Sequence, residues 1–150
     1  MKTTLISIFI LFSLTVSGYA KPIRLEDFNW GMTLLEVEAH APGKNYILTG
    51  KELSGLTPHL KYETHLYGRQ CTITFFFTPL GQKLYSAKVS WDLSSFGDFV
   101  RDQLIKKYKY PREEMPGAKI SIWTRKNTEV ELRYGFEETT LTYSNLDLWN

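Results

Sequence analysis

His40, His59, His65 and the lone Cys71 are the residues of this 150-residue chain best equipped for metal or nucleophilic chemistry. Their intervals match no helical pair such as H-E-x-x-H, and a single thiol cannot complete a thiolate metal site. Glu63 and His65 alternate onto one side of a predicted strand, where they could share a ligand or a proton. Lys61 stands on that side too, which favours a solvated strand face over an acid–base centre. A carboxylate pair assembled in space from Asp92, Glu113, Glu114, Glu137 or Glu138 is the other route to such chemistry, although loop and turn acids are usually solvated. There is no Gly-x-Ser-x-Gly elbow, no phosphate-cradling glycine loop and no Cys-x-x-Cys, which removes the motif-bearing hydrolase, nucleotide and redox classes. No catalytic residue, metal ligand or cofactor is therefore expected, and a small periplasmic hydrolase built on a carboxylate/His site stays as an alternative.

Aromatic placement is more informative. In Cys71-Thr72-Ile73-Thr74-Phe75-Phe76-Phe77-Thr78, alternation sets Cys71, Ile73, Phe75 and Phe77 on the core side and Phe76 on the other, among threonines. Cys71 is then a small buried hydrophobe. Taking Ile120 and Ile122 as core likewise turns Trp123 outward, beside Lys119 and Ser121. Contiguous apolar groups on a polar face usually mark a binding surface. The predicted contact centre is Trp123 with Phe76, rimmed by Lys119 and Thr74, and the occupant is a protein partner or a sugar ring stacked on Trp123. Burial of both rings under the 41–59 loop or the N-terminal segment is the alternative.

The elements that position these residues follow from periodicity. Thr33 and Glu36 have capping-box spacing, so a short helix is predicted from Leu34 to His40, stopped by Pro42-Gly43. Between 41 and 59 the chain shows no clear period, and Tyr46-Ile47-Leu48 has the makings of a brief strand. Period-two segments at Leu60–Leu66, Cys71–Thr78 and Leu84–Trp91 predict a three-stranded meander. Ser94-Ser95 is expected to cap a second helix bearing Phe96, Phe99, Val100, Leu104 and Tyr108 on one stripe. A loop marked by Pro111, Pro116 and Gly117 leads to a second meander at Ile120–Trp123, Val130–Tyr134 and Leu141–Tyr143. The predicted fold class is α+β: a mostly antiparallel sheet of about six strands with two helices on one face, in the order α-βββ-α-βββ. Two smaller sheets are the alternative.

Eighteen Lys+Arg against 16 Asp+Glu, with 43% hydrophobic and 15% aromatic residues, exclude disorder, a collagen-like fibre and a disulfide-stapled mini-protein. A net charge of +2 lacks the basic field of a nucleic-acid binder. Residues 1–20 read as a signal peptide: Lys2, an apolar stretch from Leu5 to Val16, then Gly18-Tyr19-Ala20 before the expected cleavage. The apolar stretch is shorter than the roughly 20 residues that cross a bilayer, so no stable membrane span is expected. Residues 21–150 are expected to form one exported domain, periplasmic or secreted.

Gly31-Met32-Thr33 through Val37 resembles the Gly-Met-Thr-x-x-x-Val helix start of the BamE family of outer-membrane assembly lipoproteins, and more loosely the exported domains with the fold of beta-lactamase-inhibitor protein. The Phe28-x-Trp30-Gly31 opening and the Lys107-Tyr108-Lys109-Tyr110-Pro111 helix exit are similar to small exported bacterial proteins without assigned activity. The resemblance implies a non-catalytic binding or accessory module of the bacterial envelope and transfers no functional residue. An inhibitor-type protein that plugs an enzyme with its loops is a third reading.

Overall fold

The computed structural model of the chain describes residues 25, 28–135 and 137–148; the predicted signal peptide lies outside them. Helix α1 spans Leu34–His40, with Thr33 Oγ1 accepting from the Glu36 amide and the Glu36 carboxylate accepting from the Thr33 amide. Four strands follow, β1 (Ile47–Glu52), β2 (His59–Leu66), β3 (Arg69–Phe77) and β4 (Leu84–Trp91), then helix α2 (Gly97–Tyr108) and four more strands, β5 (Glu113–Met115), β6 (Ile120–Arg125), β7 (Thr128–Tyr134) and β8 (Thr139–Asn145).

These eight strands form one antiparallel sheet ordered β1-β2-β3-β4-β8-β7-β6-β5. The expectation of about six strands in the order α-βββ-α-βββ is thus corrected to α-ββββ-α-ββββ, in a fold that is mostly sheet. The two strands outside that count are the edges: β1, which extends the brief strand expected at Tyr46-Ile47-Leu48, and β5, which lies where only a loop was expected. Most of β1 and all of β5 is exposed. An edge strand is held by a ladder on one side only and has no apolar alternation to reveal it in sequence.

One face of the sheet is covered. Register sets Leu60, Phe75, Ala87, Tyr143, Val130 and Trp123 in one cross-strand row, and Tyr62, Ile73, Val89, Leu141 and Leu132 in the next. Leu34 and Val37 of α1 and Val100 and Leu104 of α2 belong to the same buried cluster, so both helices lie on this side. Phe28 joins them with its ring 4.6 Å from that of Phe75. At the start of β4 the ladder shifts: Phe76 pairs with Ser86 but Phe77 with Leu84, leaving Tyr85 as the extra residue of a bulge. Leu84 is thereby kept in the core, fully buried with Phe77.

The second helix begins differently from its sequence reading. Ser94–Phe96 forms a 3-10 turn, and no side chain caps α2. Phe96 instead packs its ring edge-on against Trp91 at 5.5 Å and stacks with Phe99 at 5.0 Å. Gly97 is required for close approach, because a Cβ there would lie 2.0 Å from the Tyr134 ring. Alanine is ordinarily worth about 1 kcal/mol over glycine inside a helix, but overpacking costs ~1–3 kcal/mol. Gly97→Ala is therefore expected to destabilise the protein in denaturant unfolding, and the loss should shrink but persist in a Tyr134→Ala background, because the Tyr134 Cβ alone would lie 2.4 Å from the new methyl group.

Candidate functional site

The uncovered face of the sheet is built largely from polar side chains, with serine and threonine at its centre. His59, Phe76, Ser86, Ser144, Glu129 and Thr124 form one cross-strand row, and Lys61, Thr74, Lys88, Thr142, Glu131 and Ile122 the next. Phe76 is half-buried there, its ring centroid 6.0 Å from that of His59. Thr74 stands directly between Lys61 and Lys88. At the middle strands Ser86 Oγ donates to the Tyr143 carbonyl at 3.0 Å and lies 3.2 Å from Ser144 Oγ, so the centre of the face is closely knit by hydroxyls.

Trp123 is not on this face. The pairs Trp123↔Val130 and Val130↔Tyr143 carry it to the helix-covered side, where it is 2% exposed, while Ile120 and Ile122 take the open side. The outward assignment chose two isoleucines as core; the register instead buries the larger ring, whose Nε1–H donates to the Lys109 carbonyl at 3.0 Å. That bond ties the exit of α2, where Lys109 has φ 69°, to β6. Lys119 is likewise not a neighbour of Phe76. It sits in left-handed conformation at the end of the Pro116–Ala118 turn, with Nζ 5.5 Å from the centre of the Tyr134 ring.

Phe76 has different company. Leu56, Tyr85 and Leu148 line a hollow of about 200 Å³ with Thr57, Thr78 and Pro79. The His59 ring beside Phe76 is joined through Nδ1 to the Thr57 carbonyl at 3.1 Å, so the hollow and the Phe76–His59 pair adjoin. Leu56 and Leu80 are 87% and 91% exposed. Sequence reasoning missed Tyr85 because alternation assigns it to the core; only the bulge turns it out. Leu56 and Leu80 stand in loops, where periodicity says nothing.

No family model, no curated protein and no solved structure matches this chain.

Of the residues considered for acid–base chemistry, Glu63 and Asp92 share a hollow and the others are dispersed. Glu63 lines a separate hollow of about 320 Å³ with Arg69, Thr72, Ser90 and Asp92, whereas His65 is exposed opposite Gln70. Glu114 is held by Arg101, Glu113 lies 3.1 Å from Arg112, and Glu138 lies 4.0 Å from Lys88. Among the described residues no group of three or more His, Cys, Asp or Glu side chains is placed to hold a metal ion. Cys71 is free and buried, and burial pushes its thiol up to about 12; burial likewise pushes the Tyr62 hydroxyl up to about 12.

Trp123→Ala is expected to cost ~3–5 kcal/mol in unfolding experiments. Trp123→Phe, which keeps most apolar area but strands the Lys109 carbonyl, should lose roughly 1–3 kcal/mol. Raised pKa values in the folded state mean that it holds protons which the unfolded state releases, so stability falls as pH rises. From ordinary values of 9.0 for Cys71 and 10.0 for Tyr62, the denaturation midpoint should begin to fall near pH 9 and continue towards 12. In Cys71→Ala the part of the decline that starts near pH 9 should be missing.

Proposed function

We propose that this chain is a non-catalytic exported binding module, and that the open face of its sheet captures a protein partner at the end marked by Phe76. The observation that carries this reading is the concentration of apolar groups there. Phe76, Tyr85, Leu56 and Leu148 adjoin at one end of a face made largely of hydroxyls and charges. Leu56 is 87% exposed and Phe76 and Leu148 are half-buried beside the buried Tyr85, and apolar clusters rimmed by polar groups are typical of recognition surfaces.

Lys61, Thr74 and Lys88 lie in the next row of the same face, so the rim beside the apolar end is basic on β2 and β4. A partner that offers apolar side chains flanked by carboxylates complements it. Trp123 and Lys119 have no part in this surface; of the expected residues, Phe76 stays at its centre and Thr74 at its rim. An export signal in residues 1–20 supports placement in the periplasm or outside the cell, and the BamE-like helix start is in keeping with an envelope role.

Phe76→Thr matches the surrounding face and should change stability by less than about 1 kcal/mol. It should weaken capture of the partner at least tenfold, as expected of a central apolar anchor. A photo-crosslinking residue at position 76, used in cells of the source organism, should yield one defined protein adduct, whose purified form then binds the unmodified chain but not Phe76→Thr. Binding to protease-treated cell-wall glycan that persists unchanged in Phe76→Thr would refute the proposal.

A further inference from the structure

The helix-covered side holds a cavity of about 180 Å³ that the open-face reading does not use. Its floor is the cross-strand row in which Ala87 stands between Phe75 and Tyr143, a methyl group where both neighbours carry rings. Phe28 and Trp30 of the N-terminal segment form one wall. The Trp30 indole N–H donates to Thr128 Oγ1 at 2.9 Å, which carries that segment over the sheet to the β6–β7 hairpin. Tyr108, the last residue of α2, lines the cavity as well.

Burial divides the lining into a floor and a mouth. Phe75, Ala87 and Val130 are buried, whereas Arg125 is exposed and Trp30 and Thr128 are half-buried. Among the described residues of the lining Arg125 is the one charged side chain. No ion pair to Arg125 occurs among the described residues. The hydroxyls of Tyr108 and Tyr143 are near enough to influence each other's titration. Burial raises the Tyr108 hydroxyl, and the nearby Arg125 charge pulls in the opposite direction, which places the guanidinium within electrostatic reach of that pair.

We propose that this cavity binds a small amphipathic monocarboxylate, its carboxylate on Arg125 at the mouth and its apolar body over Ala87. Size and charge choose the class together. An apolar cavity of about 150 Å³ accepts one benzene ring, so this one takes a single ring, or an aliphatic chain of like volume, with a short arm. A guanidinium suits a planar carboxylate through paired N–H donors, and the hydroxyls of Thr128 and the tyrosine pair offer further donors. Arg125, the one charged side chain among the described residues of the lining, matches one negative charge, and a buried apolar floor excludes an ion that must stay hydrated on all sides.

Phenylacetate tests the carboxylate and 2-phenylethanol is its neutral match. By calorimetry the chain should bind phenylacetate saturably at one site. Arg125→Gln should weaken phenylacetate by about tenfold and leave 2-phenylethanol unchanged. Amide shifts on titration should centre on Ala87, Val130 and Tyr143, and Phe76→Thr should leave them unaltered, which separates this site from the open face. Ala87→Leu should abolish binding of both probes where it folds; Arg125 is exposed, so its variant does not share that risk. Absence of saturable phenylacetate binding, an equal loss of both probes in Arg125→Gln, or shifts centred on Phe76 would each overturn the proposal.

Discussion

The ladder between β4 and β8 is the constraint on which the rest of this structure depends. Six antiparallel pairs, from Ser86↔Ser144 to Trp91↔Thr139, join two meanders that are each led by a helix. Strands β1–β4 lie on one side of this seam and β5–β8 on the other. Neither four-stranded half has a deep core of its own, because a sheet buries one face only by packing against another layer. Across the seam the apolar rows become continuous, and α1 and α2 cover one shared surface.

The seam also shapes both faces. On the helix side its residues are Ala87, Val89 and Trp91 opposite Tyr143, Leu141 and Thr139. The small Ala87 leaves room that its neighbours fill elsewhere. On the open side they are Ser86, Lys88 and Ser90 opposite Ser144, Thr142 and Thr140, five short hydroxyl side chains and one lysine, which build no apolar layer. One ladder therefore accounts for a hollow above the sheet and a hydroxyl-rich plain below it. Phe76 and Tyr85 are exceptions to that plain at one end, and the β4 bulge is what places Tyr85 there.

Buried polar atoms show how tightly the covered side is filled. Trp123 places its N–H on a backbone carbonyl, and Thr139 Oγ1 donates to the Leu93 carbonyl at 2.8 Å. Tyr62 Oη and Trp91 Nε1 are buried with no hydrogen-bond partner among the described residues. An unsatisfied buried donor costs ~1–3 kcal/mol, so ring burial outweighs polar satisfaction at these two positions. For Trp91 the offset is the edge-on contact with Phe96 and the full burial of its indole.

Local order was legible in the residues. Thr33 and Glu36 mark the start of α1 because capping needs only four consecutive positions, and alternation in Leu60–Leu66 and Cys71–Phe77 reveals β2 and β3 because each buries one face. Phe76 is read outward for the same reason, its flanking core residues being unambiguous. Trp123 is not: Ile120 and Ile122 alternate as convincingly as Ser121 and Trp123, and only pairing with Val130 decides which set goes inside. The edge strands β1 and β5 carry no apolar period at all, since a neighbouring backbone holds them in place. The hollow near Tyr85 and the cavity over Ala87 were equally hidden, because each is made by residues far apart in the chain whose proximity comes from the sheet register and from the joining of its two halves.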